Sequence, residues 1–437
     1  MPENRLFLGV ENSATGRAWR DRLDERAAAR ALAITQRHEL PELLARIIAG
    51  RNIEIDAVEA FLDPAIRRAM PDPDVLAGMK EAAARLADAI TRGETIAIFG
   101  DYDVDGATSA ALLARFLRQC GVEPLIHIPD RLFEGYGPNV EAVRALAERG
   151  ASLLVTVDCG TTSIEPLIEA GACGMDVVVI DHHQADEVLP PAVAVVNPNR
   201  RDDLSGLGHL AAVGLVFMAV VAVNRELRRR GFWDAGRSEP DLLSFLDDVA
   251  LGTVADVVPL TGLNRAFVAK GLVALRRRER AGHTSLMDVA RLAGPPEAWH
   301  LGFLLGPRIN AGGRIGRADL GVRLLIEDDP TEAAKIAAEL DRLNRERQTI
   351  ELDTLAQAEA EAMAALGIEE KGAVVVTAAE GWHPGIVGLV AARLKEKFSR
   401  PALTLEATSA SRPGSKIGIS PRRKFSILST SLSTQTT

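Results

Sequence analysis

Residues 95–110, "TIAIFGDYDVDGATSA", run from a short continuous apolar segment into aspartates at every second position, 101, 103 and 105, and then into Gly106 and a small-residue helical pattern. An apolar run of this length, ended by a turn signal, reads as a buried strand, and the segment after it as a helix. The pattern repeats downstream as "EPLIHIP", "VEAVRALAERG", "SLLVTVDCG", "IEPLIEAG" and "DVVVIDHH", which together cover most of residues 123–183. Short apolar strands alternating with amphipathic helices imply βαβ crossovers and a parallel sheet covered on both faces. The expected fold class is therefore α/β, a doubly wound, mostly parallel sheet.

The remaining sequence is arranged around that sheet. Residues 1–91 are rich in Arg, Glu and Ala at helical spacing, and read as an N-terminal helical preamble packed on the core domain. The core domain spans 92–330. Residues 331–366 hold no Gly or Pro and predict one long connecting helix. Residues 367–405 give a strand, a Gly/Trp/His loop, a helix and a strand, part of a second α/β domain. Residues 406–437 are rich in Ser, Thr, Lys and Arg without apolar periodicity, and read as a disordered or aberrant tail.

Composition sets wider limits. The 437 residues fit two or three domains, at roughly 100–200 residues per domain. A formal charge of -9 excludes a surface that is basic throughout, though not a local basic groove. Cys120, Cys159 and Cys173 lack C-x-x-C spacing and are odd in number, which argues against a disulfide framework or a thiolate zinc site and fits a reducing cytosol. The apolar segment 210–223 falls short of the roughly 18 residues that span a bilayer, so it reads as a buried helix. With no cationic-then-apolar leader pattern, the expectation is a cytoplasmic protein without a membrane partner.

The acidic clusters share one property: each follows a predicted strand. Asp101, Asp103 and Asp105 follow "TIAIFG", Asp158 follows "LLVTV", and Asp181, His182 and His183 follow "VVVI". In open parallel sheets ligands bind beyond the carboxyl ends of the strands, so these stretches converge on one cleft. Carboxylates held together need a cation to stay ionised, and an oxygen-plus-imidazole set suits Mn2+ or Mg2+. Taken alone, Asp101 or Asp158 reads as a helix cap and the His pair as a polar loop; the combination points to a dinuclear metal site. Asp256 in "GTVADVVPL" reads evenly as cap or ligand.

In the order "DYDVDG", "VTVDCG", "DHH" and "GTVADVVPL", the chain resembles the DHH phosphoesterase superfamily. "GDYDVDGATSA", "PRINAGGRIG" and "GWHPGIVGLVAARLKEKF" resemble its RecJ-type branch of bacterial single-stranded-DNA-specific exonucleases, and the likeness runs to about residue 401. The resemblance implies Asp103, Asp105, Asp158, His182 and Asp256 as ligands of two divalent ions, Mn2+ or Mg2+, with Asp158 bridging. It implies Asp101 and His183 as catalytic groups beside them. It also implies 5′-to-3′ hydrolysis of single-stranded DNA in recombination and repair, by a monomer that meets other recombination or single-strand-binding proteins. The sibling alternative hydrolyses short oligoribonucleotides or cyclic dinucleotides, and a third reading is an inactive nucleic-acid-binding protein.

For substrate binding, Arg308, Asn310 and Arg314 in "PRINAGGRIGR" read as a surface turn by themselves and as a phosphate grip in the light of the resemblance. Trp382 and His383 read equally as a base-stacking or phosphate-contacting pair and as a loop that caps a small core. Beyond residue 401 the family pattern continues through a "GGH" element and an oligonucleotide-binding barrel that this sequence does not show. Weak nucleic-acid affinity and low processivity are the expectation.

Overall fold

In the computed structural model, which describes residues 6–367 and 372–407, five strands form one parallel sheet: β1 (Ile96–Gly100), β2 (Leu125–His127), β3 (Leu153–Val157), β4 (Asp176–Ile180) and β5 (Ala194–Val196). Their order is β2-β1-β3-β4-β5, and every pairing is parallel. Alternate residues serve opposite faces. Ile96, Ile98, Val155, Val178 and Ile180 join a core with helices Met79–Arg92, Val104–Gln119 and Ala212–Arg229. Ala97, Phe99, Leu154, Val177 and Val179 join a second core with helices Val140–Glu148 and Ile164–Ala172. The sheet is thus buried on both sides, which is why its strands read as unbroken apolar runs. The strand order reverses between β1 and β3, so a crevice opens at the carboxyl ends of those two strands.

A helical layer extends the first core: Leu246–Ala255, Gly262–Arg276, Ala281–Val289, Gly306–Ile315 and Leu320–Ile326. The Gly/Arg-rich stretch that looked like a turn is mostly helix. Its glycines meet a packing demand, since a Cβ on Gly313 would stand 2.7 Å from the Tyr102 carbonyl oxygen. Pro330–Leu366 is one helix of 37 residues, started by Asp329, whose carboxylate accepts from the amides of Thr331 and Glu332. Its last turns pack Ala358, Ala362 and Leu366 against β6 (Val375–Glu380) and helix Pro384–Phe398. β6 pairs in parallel with β7 (Ala402–Ala407).

The first 91 residues divide between two cores. Helices Glu25–His38 and Glu42–Ala49 bury Ala31, Ile34, Ala45 and Ile48 in a small cluster of their own, whereas Met79–Arg92 belongs to the core of the sheet. Residues 212–223 of the apolar segment form most of the buried part of helix Ala212–Arg229. Among the described residues no helix is long and apolar enough to cross a membrane. The tail expected to be disordered lies, from residue 408 onward, outside the described residues.

Candidate metal centre

Each strand end presents its acid by a different local device. After β1 the chain turns through Asp101 and Tyr102, and Asp103 caps helix Val104–Gln119 by accepting from the amides of Asp105 (2.9 Å) and Gly106 (3.0 Å). Gly106 allows this turn, because a Cβ there would stand 2.4 Å from the Asp101 carbonyl oxygen. Asp105, in the first helical turn, is held by the free N-terminal amides of another helix: Ala212 N donates at 2.6 Å and Val213 N at 2.9 Å. After β3, Asp158 takes a left-handed backbone with φ 61°, which short polar side chains tolerate best. Asp256 ends helix Leu246–Ala255, and the residue after it, Val257, has φ 62°. Positive φ on a β-branched residue is strained, and such strain clusters at functional sites.

These devices converge on His182. Its Nδ1 stands 3.0 Å from the Leu210 carbonyl oxygen, so that nitrogen carries the proton and Nε2 presents a lone pair. Nε2 faces three carboxylates, Asp158 at 3.3 Å and Asp105 and Asp256 each at 3.8 Å. A lone pair ringed by carboxylate oxygens at these separations repels them unless a cation lies between, so the residues fit a metal ion. Asp101, Asp103 and Asp158 form a second group whose oxygens lie within ligand reach of one another, and Asp158 is common to the two.

The electrostatics agree. Burial, then the charges of neighbouring carboxylates, raise the pKa values of Asp101, Asp105 and Asp158 well above the ordinary range. Burial and Asp103 push Asp256 up to about 7. His182 is lowered by burial and then by His183. His183 is opposite: burial disfavours its charge, but the hydrogen bond to Asp181 at 2.8 Å outweighs it and lifts His183 to about 9. Burial would raise Asp181 too, yet its bonds to His183 and Thr161 hold it below the usual range.

Asp181 therefore acts on its neighbours rather than facing the carboxylate ring. Its Oδ1 accepts from the His182 amide at 2.8 Å and the His183 amide at 3.2 Å, and its Oδ2 from the Thr161 amide at 3.0 Å. Sequence reasoning counted Asp181 within the acidic clusters but gave it no individual role, and it missed Tyr136 altogether. The Tyr136 hydroxyl lies 3.1 Å from His183 Nδ1 and 3.2 Å from the Asp158 carbonyl oxygen, which accepts from it. Asn197 Nδ2 supports this loop by donating to the His183 carbonyl at 2.9 Å. A turn-rich sequence, "FEGYGPN", was the signal for Tyr136, and its position depends wholly on loop packing.

The expected substrate residues separate. Arg308 is tied to Asp341 on the long helix, with Nη2 at 2.9 Å and Nε at 3.0 Å, and gives Nη1 to the Leu304 carbonyl. It does not reach into the centre as a free phosphate grip. Trp382 is 3% exposed in the core around Ile386 and Val390, with Nε1 donating to Gln357 at 2.9 Å, so it caps that core and offers no face to a base. His383 caps helix Pro384–Phe398 by accepting from Gly385 N. Arg314 donates Nη1 to the Gly385 carbonyl at 3.1 Å, and burial, then Arg131 and Arg347, lower it to about 10 against the weaker opposing pull of Tyr102 and Asp103. Asn310 and Arg314 both line a cleft of about 500 Å3 between helices Gly306–Ile315, Pro330–Leu366 and Pro384–Phe398. Arg131 sits over the Tyr102 ring, 5.1 Å from its centroid.

Residues 95–252 match the model of the DHH family, N-terminal domain. The single-stranded-DNA-specific exonuclease RecJ of Bacillus subtilis is 40% identical over 338 residues, 76% of this chain and 40% of the relative. The same-named protein of Dickeya dadantii is 39% identical over 372 residues, 83% of this chain and 63% of the relative. The chain thus spans about two-fifths to three-fifths of the length of these curated relatives. A crystal structure of exonuclease RecJ bound to manganese superposes with a TM-score of 0.67 at 36% identity, covering 77% of this chain and 81% of that one. RecJ of Thermus thermophilus in complex with Mn2+ gives 0.72 at 32% identity, covering 86% of this chain and 52% of that one. With the DHH model lying over the sheet that carries the carboxylates, and a 36% identical structure matched across most of both chains, this protein belongs to the RecJ family of DHH proteins.

Proposed function

We propose that the chain is the catalytic part of a metal-dependent exonuclease that hydrolyses single-stranded DNA from the 5′ end to mononucleotides, in recombination and repair. The observation that carries it is the ring of Asp105, Asp158 and Asp256 around the lone pair of His182, in a family whose relatives are named for this activity. Asp103, Asp105, Asp158, His182 and Asp256 are the proposed ligands, with Asp158 shared. Mn2+ or Mg2+ bound there supplies an acidified water and neutralises the phosphate oxygens. The chain's own residues do the rest. Asp105 is held by the amides of Ala212 and Val213, so its oxygens need no reorganisation, and Asp158 is aimed by its left-handed backbone. His183, kept cationic by Asp181, faces the same cleft and can steady a non-bridging phosphate oxygen. Asp101, whose pKa burial and then Asp103 raise above the usual range, lies beside Asp103 and Asp158 and can exchange a proton with the reacting oxygens. Arg131 and Arg314 flank Tyr102 and suit the adjoining phosphate of the strand.

Single-strand-binding or recombination proteins are proposed partners. The test is incubation with Mn2+ and end-labelled single-stranded DNA, duplex DNA, a ribodinucleotide and a cyclic dinucleotide, alongside Asp103→Ala and His182→Ala. Stepwise release of mononucleotides from the 5′ end of the single strand, abolished in each variant, is the expected result. Unchanged turnover in both variants would remove the proposed centre, and turnover of the dinucleotides alone would assign a sibling activity.

A further inference from the structure

A second His/Asp group lies away from the catalytic cleft. Asp247 and Asp248 open helix Leu246–Ala255, and His283 lies on helix Ala281–Val289. All are buried: Asp247 is 5% exposed, Asp248 0% and His283 2%. Arg280 occupies one oxygen of each acid, with Nη1 2.7 Å from Asp247 Oδ1 and 2.5 Å from Asp248 Oδ2, and donates Nη2 to the Leu325 carbonyl. The other oxygens face the imidazole: Asp247 Oδ2 is 3.8 Å from His283 Nδ1, and Asp248 Oδ1 is 3.3 Å from His283 Nε2. Neither contact is aligned as a hydrogen bond. Both ring nitrogens and Asp248 Oδ1 are left without a hydrogen-bond partner.

Orphaned buried polar atoms are costly, and native proteins leave few of them. Two carboxylates against one guanidinium also leave a buried negative charge that a bound cation, or an imidazolium at His283, would offset. The 3.3 and 3.8 Å contacts fall on opposite nitrogens of the ring, but one ligand atom from each of Asp247, Asp248 and His283 lies within 4.8 Å of the other two. We infer that Asp247, Asp248 and His283 hold a third divalent cation, with one imidazole nitrogen and two carboxylate oxygens as donors, a set suited to Zn2+ or Mn2+. A cavity of about 190 Å3 touches Ser244, Asp247, Arg280 and His283 and supplies both an entry path and room for water in the open coordination positions. Arg115 and Arg278 on its wall are already paired with Asp328 and Asp288. The ion would pin the start of helix Leu246–Ala255, whose far end presents Asp256 to the catalytic centre.

The test separates this site from the first. In the double variant Asp105→Asn/His182→Ala, stripped with chelator and reloaded with Zn2+, elemental analysis should still find one ion per chain, and Zn2+ should raise the melting temperature. Adding His283→Gln should remove both the ion and the rise. Anomalous scattering from zinc-soaked crystals of the unaltered chain gives the answer without a substitution, as a peak between His283 and Asp248. No ion in the double variant, or a peak only among Asp105, Asp158, His182 and Asp256, would overturn the inference and leave His283 as an imidazolium bridging two carboxylates.

Discussion

His182 can serve as a ligand because its other nitrogen is spoken for: the Leu210 carbonyl takes the Nδ1 proton and turns Nε2 toward the carboxylates. Asp181 and Tyr136 act on His183 in the same indirect way, from its Nδ1 side. Replacing such supporting groups costs roughly 10- to 100-fold in activity or metal affinity. Asp181→Asn and Tyr136→Phe are therefore each expected to lower kcat within that range while the Mn2+ titration midpoint stays close to that of the parent, because they meet the ring only at the His182 amide and the Asp158 carbonyl oxygen, and neither bonds to His182 Nε2 or to a carboxylate oxygen of the ring. Steady-state kinetics and Mn2+ titration check this. A variant that loses ion affinity but recovers full kcat at saturating Mn2+ would place its residue in the ion cradle instead. At this scale the sequence showed that acids follow strands, yet it did not distinguish the aspartate that faces the cleft from the one that turns back to bind its own loop.

Turns between elements set the spacing of the centre. Helix Val104–Gln119 starts so close to β1 that its third residue, Gly106, touches the backbone of Asp101, and helix Ala212–Arg229 offers its first amides to Asp105. Gly106→Ala would place a methyl group 2.4 Å from the Asp101 carbonyl oxygen and 2.6 Å from its nitrogen. The loop must move, at a cost of about 1–3 kcal/mol by analogy with overpacked cores. The expected outcome is a lower urea midpoint together with weakened Mn2+ binding, read by denaturation and by titration. Retention of both would mean that the loop relaxes without disturbing Asp101 and Asp103. The glycines of residues 306–316 hid a helix from sequence reading for the same reason: they look like turn formers, but Gly313 is small because Tyr102 lies against it.

Across the whole molecule the acidic centre acts as a stored instability in the absence of ions. Asp256 titrates near 7 in the folded chain against an ordinary 3.8, and Asp101, Asp105 and Asp158 are also raised. The folded state then binds more protons than the unfolded one, so stability is full below the unfolded values and falls as pH rises through the folded ones. His183, raised from 6.5 to about 9, adds a loss of the same sign at higher pH, and the lowered His182 opposes it. Chelated protein should therefore melt at a lower temperature at pH 8 than at pH 5. Mn2+ at 100 times its Kd should return about 2.7 kcal/mol, since it binds the folded state alone. Calorimetry across that range checks the sign. Equal melting temperatures at both pH values would show that the protein neutralises its own carboxylates.

The sequence alone determined the doubly wound sheet and the placement of acids beyond its strands. Both follow from local periodicity: apolar runs buried on two faces, with polar residues where each run ends. The tertiary structure decided which side chains are free. Arg308 is consumed by Asp341, a residue on another helix, and Trp382 by a core assembled from the long helix and its successor. Asp256 reaches His182 only because a helix far along the chain ends at the sheet's crevice. Such pairings depend on packing between distant segments, which no periodicity records, and they separate a residue of the right chemical type from one that can use it.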